Sequence, residues 1–148
     1  MICVALLAVG FYAPPSAAQG SVAIALGRAA DPRAEVTELD SCSALSQALT
    51  SAGDTIVIVD YSTTTCAPCR MIAPGFERLS NTYDEYLFYK VVGDKNEQTQ
   101  AIMASENIRQ VPTFVLYTSG ARRKVVTGGA KISTMDIIDA IEELRWKK

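Results

Sequence analysis

The chain has 148 residues, 49% of them hydrophobic and 20% charged, a composition typical of one globular domain rather than of a disordered chain. Its formal net charge is only −2, from 14 basic and 16 acidic residues that are interspersed, so neither a nucleic-acid surface nor a polyanionic tail is indicated. The chain contains no histidine, which excludes a Cys/His protease site, a Cys2His2 zinc site and an imidazole general base.

The first 34 residues differ in composition from the rest of the chain. The segment Met1–Ala30 contains no acidic residue and one arginine, and its apolar run Ile2–Tyr12 is too short to span a bilayer. We therefore predict a removable presequence over residues 1–34, with a small-residue cleavage site at Ser16–Ala18. The sequence GFYAPP resembles the bipartite presequences of secondary algal plastids, which implies delivery to a plastid. The alternative is the secretory pathway or another extracytoplasmic location.

Strand-like segments recur after residue 35. The runs TIVIVDY (55–61) and YLFYKVV (86–92) are apolar without alternation, as expected of central strands covered on both faces. A short strand is predicted at 35–39. The sequence PTFVLYTSGARRKVVTGG predicts two antiparallel neighbours around a turn at Ser119-Gly120.

In the segments between these strands, apolar residues recur at helical spacing. Pro74 lies inside one predicted helix and should kink it, and Ser133 followed by Asp136 forms a capping box at the start of the last helix. The resulting order, β-α-β-α-β-α-β-β-α, predicts an α/β domain with parallel pairing in its first part and a mixed sheet overall. The helices are predicted at 42–51, 67–83, 97–107 and from 133 onward.

Two cysteines, Cys66 and Cys69, stand two residues apart between a predicted strand and a predicted helix. At a helix start, free N–H groups and the helix dipole favour a thiolate at Cys66. Cys69 lies one turn later on the same face and should be the more buried, resolving thiol, so the pair suits thiol–disulfide exchange. A structural zinc site would need four ligands, and neither Cys3 nor Cys42 forms a second close pair.

The stretch from about residue 35 to 146 resembles the thioredoxin family. Five features in chain order support the resemblance: VDY before CAPC, Pro74 in the following helix, Lys90 in YKVVGD, VPT at 111–113, and the pair Gly129-Ala130. Thioredoxins usually have tryptophan immediately before the first cysteine and again three residues earlier, whereas this chain has Thr65 and Ser62. Ala67 stands where the family usually has glycine, so substrate docking and redox potential could differ.

The resemblance implies a thioredoxin fold and a protein dithiol–disulfide oxidoreductase with Cys66 as nucleophile and Cys69 as resolving thiol. An ionised Asp60 carboxylate is energetically unfavourable in an apolar strand unless it is paired with a positive charge or its pKa is raised. We expect it to serve as general acid and base, with Lys90 as its charge partner; the simpler alternative is a buried ion pair between the two. Substrate contacts are expected from Ala67, Pro68, Val111, a cis Pro112 and Gly129.

The sequence contains neither GxGxxG nor a Walker motif, so no cofactor beyond the Cys66–Cys69 pair and no metal is expected. Electrons should therefore arrive from a thioredoxin reductase, either NADPH- or ferredoxin-linked. The expected partners are disulfide-containing substrate proteins, with no nucleic acid and no membrane, and the protein should be a monomer. Two alternatives stay open: a disulfide oxidase or isomerase, which Ala67 and the missing tryptophans allow, and a thioredoxin-fold adaptor that binds partners without turnover.

Overall fold

The computed structural model describes residues 35–147, so the predicted presequence lies outside the described residues. The predicted order of elements is confirmed, and the strands form one mixed sheet of five strands with helices on both faces. Within residues 35–147 no helix is long and apolar enough to cross a membrane. The strands are β1 (Thr37–Glu38), β2 (Val57–Ser62), β3 (Leu87–Val92), β4 (Thr113–Thr118) and β5 (Ala121–Thr127). The helices are α1 (Cys42–Ser51), α2 (Ala67–Thr82), α3 (Glu97–Ser105) and α4 (Thr134–Trp146), with a 3-10 turn at Gly129–Lys131.

The strand order in the sheet is β1-β3-β2-β4-β5. β3 pairs in parallel with β1 and β2, whereas β4 runs antiparallel to both β2 and β5. Asp60 on β2 is opposite Lys90 on β3, and Tyr61 is opposite Thr113 on β4. The carboxyl ends of β2 and β3 therefore lie at the same edge of the sheet as the beginning of β4. The loops that follow β2 and β3 and the loop that precedes β4 meet at this edge.

Both faces of β2 are buried, which explains its unbroken apolar run. On one face, Ile56 and Ile58 pack with Ile72 and Phe76 of α2 and with apolar residues of α4. On the other face, Val57 and Val59 pack with residues of α1 and α3. Each fully buried aliphatic or aromatic side chain contributes about 1.5–3 kcal/mol of transfer free energy, so these two clusters hold the helices against the sheet.

Helix caps explain where the helices begin. Ser41 caps α1 by accepting a hydrogen bond from the N–H of Ala44, and the predicted capping box of Ser133 and Asp136 is present at α4. Helix α2 continues without a break through Pro74, which is exposed on the outer side of the helix. The buried side of α2 is turned to the sheet and extends back to its first turn, where the two neighbouring cysteines lie.

Candidate active site

Cys66 and Cys69 lie at the start of α2 and are joined by a disulfide bond. Cys66 is the N-cap residue and is half-buried, whereas Cys69 is only 5% exposed. The Sγ of Cys66 accepts a hydrogen bond from the N–H of Cys69, with 3.2 Å between the atoms. Pro68 fits the first turn because an N–H there has no partner within the helix. The N-terminal dipole and an N–H donor thus act on the more accessible sulfur, and Cys69 is shielded behind it.

Asp60 lies on the face of the sheet that α2 covers. Side chains alternate along a strand, so Asp60 shares the face of Ile56 and Ile58, which pack against α2. Asp60 is 2% exposed, and among the described residues its Oδ1 has no hydrogen-bond partner. Burial raises the pKa of Asp60 from 3.8 to about 7, and the positive charge of Lys90 partly opposes that rise.

Lys90 stands in register with Asp60 on the neighbouring strand and is half-buried. Among residues 35–147, however, Asp60 forms no ion pair with it. The structure therefore differs from the simpler alternative of a buried ion pair: Lys90 acts on Asp60 through its charge at a distance. A carboxyl group with a pKa near neutrality and an unpaired oxygen is suited to accept and return a proton.

The residues expected to contact substrate lie around the same edge of the sheet. Ala67 is exposed beside the disulfide, and the Val111-Pro112 peptide bond is cis, as the resemblance implies. Val111 and Pro112 directly precede β4, whose start lies beside the carboxyl end of β2. Gly129 lies across a groove from Pro68 and has a φ of +55°, in the left-handed region that favours glycine.

The interaction between Asp94 and Thr64 was not identified from the sequence. The Asp94 carboxylate accepts hydrogen bonds from the Thr64 N–H, at 2.9 and 3.1 Å, and from its hydroxyl at 2.6 Å. These bonds lower the pKa of Asp94. Arg70 also donates to the Thr64 carbonyl oxygen at 3.1 Å, so the loop before Cys66 is held from two sides. The sequence contained one indication of this contact: Thr64 and Asp94 each come shortly after a predicted strand, and the carboxyl ends of adjacent parallel strands lie close together.

A groove of about 310 Å³ runs along α2 away from the disulfide; we call it the α2 groove. One wall is α2, and the other is the segment between the 3-10 turn and the first residue of α4. Its lining includes the predicted contact residues Pro68 and Gly129, and also Met71, Arg78, Ile132 and Thr134, which sequence reasoning missed. Met71 is 84% exposed, so an apolar side chain faces solvent close to the reactive sulfur. Within residues 35–147 no group of three or more Cys, Asp or Glu side chains is arranged to hold a metal ion.

Comparison with known proteins agrees with this geometry. The family model described as Thioredoxin matches residues 37–143. A thioredoxin from Equus caballus is 36% identical over 96 residues, which cover 65% of this chain and 89% of the horse protein. Thioredoxin f from spinach chloroplast, in its short form, is 30% identical with a TM-score of 0.70, covering 77% of this chain and 96% of the spinach chain. A structure of ferredoxin:thioredoxin reductase in complex with thioredoxin f2 matches with 32% identity and a TM-score of 0.69, covering 77% and 98% of the two chains.

Proposed function

The chain belongs to the thioredoxin family, and we propose that it works in the reducing direction, transferring two electrons from Cys66 and Cys69 to the disulfides of substrate proteins. Its class of activity, protein dithiol–disulfide oxidoreductase, follows from the family and from the Cys66–Cys69 disulfide. The observation that carries the proposal is the pairing of an accessible sulfur at a helix N-terminus with a buried one behind it, while a buried carboxyl group lies on the face of the sheet that the same helix covers. We propose that no cofactor other than this pair of cysteines takes part.

In the first step, the thiolate of Cys66 attacks one sulfur of a substrate disulfide. A bond forms between Sγ of Cys66 and that sulfur, the substrate S–S bond breaks, and the other substrate sulfur leaves as a thiolate. The N-terminus of α2 and the N–H of Cys69 stabilise the attacking thiolate. Ala67, Pro68, Val111, Pro112 and Gly129 would position the substrate chain around it.

In the second step, Cys69 loses its proton and attacks Sγ of Cys66. The mixed disulfide breaks, the substrate leaves with its second thiol reduced, and the Cys66–Cys69 disulfide forms. The proposed acceptor of the Cys69 proton is Asp60, which lies on the face of the sheet under α2 and has an unpaired oxygen. Burial raises the pKa of Asp60 to about 7, so the group holds a useful population of both protonation states near neutral pH.

The test uses the full chain reduced beforehand with a small dithiol, and a disulfide-bonded test protein such as insulin. Wild-type protein should reduce the test protein, and Cys66→Ser should abolish the reduction. Cys69→Ser should accumulate a mixed disulfide that is visible on a non-reducing gel. Cys42→Ser is the matched control, since it removes a cysteine outside the redox motif and should retain activity. Full reduction by Cys66→Ser, or no reduction by wild-type protein, would contradict the assignment and favour the non-catalytic adaptor.

The reduction potential of the Cys66/Cys69 pair tests the proposed direction. Equilibration of the full chain across graded dithiol buffers, followed by thiol labelling, should give a potential below that of the glutathione pool, as expected of a reductase. A potential above the pool would make the protein an oxidase or isomerase. Ala67 and the absence of tryptophan at positions 62 and 65 are the sequence features that support this second candidate.

We further propose a plastid location and a thioredoxin reductase as electron donor. The similarity to thioredoxin f of spinach chloroplast supports the location, and the complex of thioredoxin f2 with ferredoxin:thioredoxin reductase favours a ferredoxin-linked donor. Two assays check this. Residues 1–34 fused to a fluorescent protein should enter the plastid of an alga of secondary origin, whereas export to the medium would indicate secretion. The oxidised full chain should be reduced faster by a ferredoxin-linked reductase than by an NADPH-linked one.

A further inference from the structure

We propose that Glu106 is a positioning residue for the segment 107–112, because a buried chain of hydrogen bonds ends on its carboxylate and fixes where that segment begins. We call residues 107–112 the Pro112 loop, since the loop ends in the cis Val111-Pro112 bond. The inference rests on the thiol exchange proposed above, in which this bond contacts the substrate chain. Its physical basis lies on the face of the sheet opposite to α2 and to the α2 groove.

The chain of hydrogen bonds runs through two tyrosines of the buried core, Tyr61 on β2 and Tyr117 on β4. Their hydroxyl oxygens lie 2.8 Å apart, and the Tyr117 O–H donates to Oε2 of Glu106 at 2.7 Å. A phenol has one proton to donate, so Tyr61 must donate to Tyr117, and the chain has a single direction. Burial raises the pKa of both tyrosines, so both keep their protons and the Glu106 carboxylate always meets a donor.

A second strand holds the backbone of the same residue. Arg122 of β5 donates from its guanidinium group to the carbonyl oxygen of Glu106 at 2.6 Å. Tyr117 and Arg122 are direct cross-strand partners, so both donors belong to one antiparallel strand pair. Glu106 is the C-cap residue of α3. The end of α3 is therefore fastened to the sheet by two charge-assisted hydrogen bonds, each roughly twice as strong as a bond between neutral groups.

The Pro112 loop starts directly after this anchor. Asn107 has a φ of +51°, in the left-handed region that commonly ends a helix, and the Ile108 N–H donates to a carbonyl oxygen of α3 at 2.9 Å. At the other end of the loop, the side-chain amide of Gln110 donates to Oγ1 of Thr127 on β5. The loop is thus tied to the sheet at both ends, and its first tie is made through Glu106.

A fixed loop favours one class of substrate over another. An extended polypeptide would pair in strand-like fashion with the backbone of Val111, and a loop that is already ordered loses less conformational entropy on binding. A small disulfide only has to reach Cys66 and does not pair with the loop. Loss of the anchor should therefore slow exchange with protein disulfides and leave exchange with a small disulfide unchanged.

The experiment compares two oxidants of the reduced full chain, insulin and a small aryl disulfide. Each reaction reduces one disulfide to two thiols and forms the Cys66–Cys69 disulfide, and acid quenching followed by thiol labelling gives the second-order rate constant. Tyr117→Phe removes the donor to Glu106 without changing the net charge. We expect its rate constant with insulin to fall about threefold to tenfold, and its rate constant with the aryl disulfide to stay unchanged. Amide hydrogen exchange at Ile108 should become faster.

Two further comparisons separate positioning from a general effect on the fold. Tyr83→Phe is the matched control, because Tyr83 also donates to a glutamate, Glu142 of α4, at 3.1 Å, and this contact joins α2 to α4. The control should leave both rate constants unchanged. Glu106→Gln keeps an acceptor oxygen for Tyr117 and should retain most of the rate with insulin, whereas Glu106→Ala should match Tyr117→Phe.

Four results would overturn the inference. Rate constants that fall in the same proportion for insulin and the aryl disulfide would place the effect of Tyr117→Phe at the redox pair rather than at the loop. An unchanged rate with insulin would show that the anchor does not position the loop. An equal loss in Tyr83→Phe would indicate reduced stability of the whole domain. If the wild-type protein reduced neither insulin nor the aryl disulfide, the proposed function would itself be wrong, and the inference with it.

Discussion

Replacement of Asp60 by asparagine should change how the stability of the oxidised protein depends on pH. Asp60 is 2% exposed, and within residues 35–147 its carboxyl group forms no ion pair and has one oxygen without a hydrogen-bond partner. Its ionised form is therefore unfavourable in the folded protein but fully hydrated in the unfolded chain. Asparagine has nearly the same shape and does not ionise, so Asp60→Asn isolates the contribution of this ionisation.

The magnitude follows from the pKa of Asp60, which burial raises from 3.8 to about 7. Below the lower pKa the group is protonated in both states and contributes no difference. Between the two pKa values the folded state holds a proton that the unfolded chain has released, so the free energy of unfolding falls as pH rises, by about 1.36 kcal/mol per pH unit. The total loss is about 4 kcal/mol, complete above about pH 7. Asp60→Asn should thus be more stable than wild-type protein at alkaline pH, by an amount that vanishes near pH 4.

The assay is urea unfolding of both oxidised proteins at intervals from about pH 4 to about pH 9, with the difference in free energy of unfolding plotted against pH. The exposed Asp84 provides a control, Asp84→Asn, which should show no such rise. Lys90→Met removes the charge that opposes the raised pKa, so the fall in stability should extend to higher pH. A difference between wild-type protein and Asp60→Asn that is flat across the range, or largest at acidic pH, would refute the reasoning.

Three further predictions concern a loop and two helices close to the site. Asp94→Asn should speed amide hydrogen exchange at Thr64, because the charge-assisted bonds to its N–H and hydroxyl weaken; unchanged exchange, measured by NMR, would show that Asp94 does not hold the loop. Gly75→Ala should lower the free energy of unfolding by about 1–3 kcal/mol through overlap with Cγ2 of Thr134. Adding Thr134→Ser, which removes that methyl group, should recover most of the loss, and simple additivity in urea unfolding would count against a direct clash. Ser133→Ala removes one half of the capping box of α4 and should cost about 1 kcal/mol in thermal unfolding, with no change in the reduction potential.

Several features of the protein were predictable because they depend on neighbours in the chain. The apolar periodicity identified the strands and helices, and Ser133 with Asp136 marked the start of α4. The redox pair was predictable for the same reason. Cys66 and Cys69 are one helical turn apart, and because Cys66 is the N-cap residue it is the more exposed of the two. Hydrogen bonds and caps within one segment produce these features, whichever way the segments are later packed.

The tertiary structure alone decided the features that join distant segments. β3 lies between β1 and β2, and β4 runs antiparallel to β2; these pairings bring Asp94 to Thr64 across 30 positions of the chain. The same packing brings the segment from Gly129 onward against α2 to form the α2 groove. It also buries Asp60 in register with Lys90, with no ion pair to Asp60 within residues 35–147, and burial raises the pKa of Asp60. Such contacts depend on how the helices and strands share one core, and local spacing contains no information about which distant residue will fill each position.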